Sequence, residues 1–152
     1  MTLDERRVRA AVGGVLAELL LLVAALLPIS HRDPPSVLAL GSGLAIGFVG
    51  GVAAAHLGGD RQALDTGVAL VVGGVGGAAF ATVLASLVLT DGTTGVFWHF
   101  HYLLAITVPP PLVVEFGAAV VVAFALLCGL AVAGFAVFGT WLATHLQVDV
   151  AA

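Results

Sequence analysis

The sequence predicts an all-α fold: an integral membrane four-helix bundle with a short interfacial or re-entrant helix ahead of the last span. Three observations carry this expectation. Four long apolar runs, separated by short polar breaks, fill most of the 152 residues. The composition is 61% hydrophobic and only 9% charged, whereas soluble domains are near half apolar and about a quarter charged. Mean hydropathy is +1.17, and runs of about eighteen or more apolar residues have the length of a bilayer-spanning helix. The chain has room for one membrane domain, residues 1–152, and for no soluble unit beside it.

The first run, about Val8–Ile29, follows Arg6 and Arg7, takes in Arg9, and is closed by Pro28 and His31-Arg32-Asp33-Pro34-Pro35. A basic start before an apolar run also marks a cleaved signal peptide, and Arg6-Arg7 raises a twin-arginine signal. The run is too long for either, no small-x-small site follows it, and three further spans come after, so a retained helix is expected. The second span, about Val37–Leu57, closes at Gly58-Gly59, where helices commonly stop. The third, about Gly67–Leu89, opens after Asp65-Thr66, which can cap it. The short link between them predicts an antiparallel hairpin.

Asp91-Gly92-Thr93-Thr94-Gly95 has turn composition. The next piece, Val96–Val108, is apolar, but about thirteen residues of helix cover only roughly 20 Å of a roughly 30 Å hydrocarbon core. It carries Phe97, Trp98, Phe100 and Tyr102, and such aromatics collect at the membrane–water interface. Pro109-Pro110-Pro111 forbids its continuation. An interfacial or shallow re-entrant segment is therefore expected in preference to a fifth span. The last span is about Gly117–Leu142. Apolar character begins earlier, at Leu112, so this helix should project beyond the bilayer or tilt.

All five basic residues are arginine, and nine acidic residues give a formal charge of −4. The lysine-free, acidic, Ala/Gly/Val-rich composition suggests GC-rich coding and a high-salt cytoplasm. Nucleic-acid binding is not expected, since it needs a basic patch. Three arginines sit at the N-terminus and Arg61 in the second link, against Arg32 alone on the other side. This places both termini in the cytoplasm of a multi-pass cell-membrane protein.

Small residues recur every four positions in two spans: Gly43, Gly47, Gly51, Ala55 and Gly59, then Ala69, Gly73, Gly77, Ala81 and Ala85. That spacing keeps them on one helix face and lets backbones approach closely. The expectation is that the second and third spans pack on each other through these ladders. Gly50, Gly74 and Gly76 would then leave another small face for self-association.

Glu18 lies near the middle of the first span. A charge at that depth costs about 2.5–3.5 kcal/mol on insertion scales, while the twelve Leu, Ile and Val of the span contribute roughly −4 to −7 kcal/mol. The span still inserts, but the carboxylate needs a proton, a partner or water. An intramembrane acid reads by default as a proton- or ion-coupled site, and the bland alternative is a protonated carboxyl bonded across the bundle. Glu115, near the start of the last span, suits the positive end of a helix dipole or pairing with Glu18. His99 and His101 are two apart, so on a helix they point in nearly opposite directions and cannot share a metal. His56 and His145 belong to the other membrane side. No metal and no cofactor are expected. Cys128 is the only cysteine, so it reads as a small packed hydrophobe. Gly73-Gly74-Val75-Gly76-Gly77 is not a phosphate loop, because it lies within a span and no lysine follows.

Two likenesses accompany this reading. Gly41-Ser42-Gly43, Gly50-Gly51, Gly58-Gly59-Asp60, Asp65-Thr66-Gly67, Gly73-Gly74 and Gly76-Gly77 together resemble a group of small haloarchaeal four-span proteins of unknown function. This covers about a quarter of the chain and rests on glycine motifs; it implies an architecture and a source and no activity. Gly13-Gly14-Val15-Leu16-Ala17-Glu18 is similar to the first helix of small multidrug resistance transporters, which implies coupling of substrate and proton binding at Glu18. The expected role is a non-enzymatic membrane protein, structural or partner-binding through glycine-lined faces, associating with itself or another membrane protein. The alternative is a small proton-coupled transporter using Glu18, with Glu115 assisting.

Overall fold

The computed structural model describes residues 2–27, 36–58 and 66–149. Their regular structure is helical throughout: α1 (Leu3–Ala25), α2 (Ser36–Gly58), α3 (Thr66–Leu89), α4 (Phe97–Thr107) and α5 (Pro110–Asp149). Four of these, all but α4, contain stretches long and apolar enough to cross a bilayer. The chain is an all-α, multi-pass membrane bundle.

α1 starts earlier than expected, because Thr2-Leu3-Asp4-Glu5 closes a capping box. The Glu5 N–H donates to Thr2 Oγ1 at 3.3 Å, and the Thr2 N–H donates to Glu5 Oε2 at 2.9 Å. Two N–H groups that a helix start leaves unpaired are thereby satisfied, so the helix begins among the charges rather than at Val8. At its other end α1 stops at Ala25. Pro28, Ile29 and the break at 31–35 lie outside the described residues, as does the link 59–65 with Gly59, Arg61 and Asp65.

The close approaches of glycines fix the helix directions. Gly14 of α1 packs beside Gly50 and Ala54 of α2, and Glu18 beside Gly50, so α1 and α2 are antiparallel. Gly73 and Gly77 of α3 meet Ala133 and Gly129 of α5 in opposite order, whereas Gly47 and Gly51 of α2 meet Val132 and Ala136 in the same order. α1 and α3 therefore run one way, and α2 and α5 the other. The start of α1 and the end of α5 share one end of the bundle, the near end. α4 lies at the far end.

The glycine ladders do not mainly join α2 to α3, as expected; each turns to α5. A methyl group added to Gly47 would overlap the Val132 carbonyl oxygen, and one added to Gly51 would overlap that of Ala136. One added to Gly73 would lie 2.7 Å from the Ala133 carbonyl oxygen, and one added to Gly77 would overlap that of Gly129. Gly43, the first rung, instead receives the Phe100 ring of α4, 2.7 Å from where its Cβ would be. The ladders do what small faces do, bringing backbones together where lipid gives no apolar drive to associate, but the last helix is the shared partner. Thr140, buried at this contact, lies with Oγ1 3.2 Å from the Gly51 carbonyl oxygen and 3.0 Å from that of Ala136.

α5 is longer than the span expected at 117–142. Prolines 110 and 111 occupy its first two positions, where the missing N–H has no acceptor to lose, so the proline triplet ends α4 and opens α5. A break in helical geometry follows at Phe116 (φ −125, ψ 23). The register that sets Gly77 against Gly129 puts Gly117 level with Leu89 and Thr140 level with Thr66. The expected span is thus the stretch that pairs with α3, and 110–116 projects past it with Val114 88% exposed. Forty residues of helix, about 60 Å, exceed a roughly 30 Å core.

α4 stands where a short helix was expected and turns one face inward. Phe97, Phe100 and Leu104 are buried, and both phenylalanine rings pack on Phe80, with centroids 5.2 and 5.3 Å away. Trp98 and Tyr102 stack on the outer face at 5.6 Å, both exposed. The turn before α4 needs positive φ at Asp91 and Gly95. Gly95 also lies against the Ala25 and Leu27 carbonyl oxygens, where a side chain would overlap.

Candidate intramembrane carboxyl site

Glu18 is 1% exposed, and neither carboxyl oxygen has a hydrogen-bond partner. Only Glu18 and Thr140 are buried polar side chains among the described residues, and Thr140 is occupied elsewhere. The carboxyl is seated on two glycines from different helices. A Cβ on Gly50 would lie 2.6 Å from Cδ and 2.7 Å from Oε1, and one on Gly76 would overlap Oε2. Gly50 and Gly76 do not form a free face, as their positions outside the ladders suggested. They make the room that a carboxyl needs between three helices.

Helical spacing builds the surroundings in layers, since residues four apart share a face. One turn toward the near end of Glu18, Gly50 and Gly76 lie Gly14, Ala54 and Val72. These interlock directly: a Cβ on Gly14 would come within 2.9 Å of Ala54 Cβ and of Val72 Cγ2. Ala10 and Val68 continue this small-residue cluster. One turn toward the far end lie Leu22, Ile46 and Phe80, all buried, in one cluster with Phe97 and Phe100. The acid thus sits between a tight layer of Gly, Ala and Val and a bulky, partly aromatic layer reached by α4.

The other residues singled out in the sequence do not join Glu18. Glu115 is exposed, on the projecting start of α5. It stands about 20 Å along the axis from the α5 level that faces Gly76, at 1.5 Å per residue. His56 and His145 each donate from Nδ1 within their own helix, to the Val52 and Trp141 carbonyls. His101 pairs with Thr93, Nδ1 to Oγ1 at 3.2 Å. His99 Nδ1 is buried without a partner, and its ring packs edge-on to Trp98. No group of three metal-ligating side chains occurs among the described residues. Cys128 is half-buried and free, beside the aromatic cluster.

What sequence reasoning missed is the seat and the cover. Gly50 and Gly76 became visible as partners of Glu18 only through the antiparallel α1–α2 and parallel α1–α3 registers. Phe97 and Phe100 read as interfacial aromatics, and their i, i+3 spacing with Leu104 was the available sign of an inward face.

No protein-family model, no curated protein and no solved structure matches this chain. Any functional reading therefore rests on the geometry of its own residues.

Proposed function

We propose that the protein is a small ion-coupled membrane carrier in which Glu18 takes up the coupling ion, in the simplest case a proton. The observation that supports this is a glutamate 1% exposed at mid-bundle, with both oxygens unpartnered and held by two glycines. An ionised carboxylate without partner or water in such a place is costly, so the enclosed state is the neutral acid. Ionisation then requires the surrounding helices to admit water or a counter-charge. A group that is neutral when enclosed and charged when opened links ion uptake to a change of access, the elementary requirement of coupling.

The test uses the full chain reconstituted into liposomes enclosing a pH-sensitive dye. After an imposed pH gradient, the native protein should dissipate it faster than Glu18→Gln, which keeps size and neutrality but cannot release a proton. Equal rates from two equally folded proteins would remove the carrier reading.

A second reading, from a different class, is a non-enzymatic protein that associates with a second copy or another membrane protein. Gly74, Ala78, Thr82 and Ser86 recur every four residues along the outer face of α3, and all are exposed. A methyl on Gly74 would meet nothing within 4 Å. Such a small-residue face is a common way for spanning helices to associate. Under this reading Glu18→Gln alters stability or assembly rather than ion movement. For orientation we propose both termini in the cytoplasm, following the arginine excess at the near end.

A further inference from the structure

We propose that α4 is the gate of the Glu18 site, with Phe97 and Phe100 determining whether the carboxyl can be reached from the far end of the bundle. This rests on the carrier reading but concerns access, which is measurable without transport.

The two ends of the site are closed by different kinds of structure. At the near end, Gly14, Ala54 and Val72 belong to three spanning helices, and a methyl added to Gly14 would stand 2.9 Å from both Ala54 Cβ and Val72 Cγ2. Opening there means separating α1, α2 and α3. At the far end the covering residues are Leu22, Ile46 and Phe80, and Phe80 is held from above by the rings of Phe97 and Phe100 at 5.2 and 5.3 Å. Those rings come from an 11-residue helix that spans nothing. Phe100 fills the space that the missing side chain of Gly43 leaves in α2.

α4 is also bounded by a break on each side. Before it stands the turn with positive φ at Asp91 (53) and Gly95 (57). After it come extended Val108 (φ −94, ψ 125) and Pro109, which has no N–H to give. Its backbone tie to the bundle is the Val96 N–H donating to the Ala25 carbonyl at 3.0 Å. The inward face is three apolar residues, and the outward face presents Trp98, Tyr102 and Ile106. A rod between two breaks, held mainly by ring packing, can lift while the spanning helices stay packed.

An apolar groove on the bundle surface borders the same cover. A cleft of about 260 Å³ between α1 and α2 is lined by Val96 at the start of α4, by Ala25 and Ser42, and by Ile46 and Val49. Ile46 is the residue that covers Glu18 from α2, and Val49 adjoins Gly50. Ile46 is thus shared by this cleft and by the buried cluster that holds Phe80, Phe97 and Phe100.

The experiment measures the rate at which a water-soluble carbodiimide modifies Glu18 in the reconstituted full chain, read by peptide mass spectrometry. Exposed Glu115 serves as the internal control. Phe97→Ala with Phe100→Ala should raise Glu18 modification about tenfold through a larger open population, with Glu115 unchanged. Leucine at both positions should restore most of the protection. Trp98→Ala with Tyr102→Ala, on the outer face, should leave Glu18 as in the native protein. Unchanged Glu18 modification in the inner-face variant, or an equal rise in the outer-face variant, would overturn the gate. Amide hydrogen exchange of the native chain supplies a second readout: α4 should exchange while Gly76–Leu84 of α3 stays protected, and equal protection of the two would also overturn it. Modification that follows α4, in a protein with no Glu18-dependent proton movement, would keep the gate and remove the carrier.

Discussion

Glu18 and the two glycines beneath it show how one side chain sets demands on its neighbours. A carboxyl enclosed by three helices needs volume before it needs chemistry, and Gly50 and Gly76 supply it by having no side chain. Gly76→Ala should therefore push the carboxyl from its seat. Overpacking of this kind costs about 1–3 kcal/mol, read as a lower midpoint in detergent-monitored thermal unfolding. The same substitution at Gly74, two residues away and facing open space, should leave the midpoint unchanged. Combining Gly76→Ala with Glu18→Ala should recover stability, because the methyl then occupies space the carboxyl has left; no recovery would show that Gly76 serves a different contact. The acid itself was legible in the sequence, as a lone carboxylate within twelve branched apolar residues. Its seat was not: Gly50 and Gly76 are 26 positions apart in the sequence and belong to no common ladder. Only the relative register of α1 with each helix brings them to one atom group, and register is a tertiary property.

Among the elements, α5 shows where a correct pattern led to a wrong partner. The four-residue ladders in α2 and α3 state that something approaches those faces closely, but small residues are agnostic about what approaches. A short link favours the sequence-adjacent helix as the antiparallel neighbour. α5 took the place instead because its own inward positions, Gly129, Val132, Ala133 and Ala136, are small or β-branched, leaving its backbone free to reach both ladders. Gly51→Leu should then force α5 away from α2 against a backbone carbonyl that cannot rotate aside, while Gly74→Leu should affect only association between copies. The expected result is loss of the folded band and of helix content for the first, and for the second a normal monomer with a smaller mass in detergent wherever the native chain is larger than one copy. A folded, native-mass Gly51→Leu protein would contradict the α2–α5 contact. α4 and the start of α5 follow the same lesson. Length told that Val96–Val108 cannot span, but the inward tuck of Phe97 and Phe100 depends on Gly43 and Phe80 in other helices.

For the whole molecule, helix directions and charge placement make separate statements that one experiment can join. The close approaches put the start of α1 and the end of α5 at one end of the bundle, because α1 and α3 run against α2 and α5. That geometry holds whichever way the bundle sits in a membrane. Arg6, Arg7 and Arg9 lie at that same end, and Arg9 Nε donates to the Leu57 carbonyl at the close of α2 at 3.2 Å, tying a cation to a helix end whose dipole is negative. A cationic end is retained in the cytoplasm during insertion, so both ends of the chain should face inward. With one cysteine introduced at Thr2 or at His145 and Cys128 replaced by Ala, a membrane-impermeant maleimide should fail to label either position in intact cells and label both after lysis. A cysteine at Trp98, on the exposed face of α4, should label from outside. Labelling of position 2 and position 145 from opposite sides would break the four-span topology. Labelling of both from outside would leave the bundle intact and reverse the arginine argument, placing the α4 gate on the cytoplasmic side of Glu18.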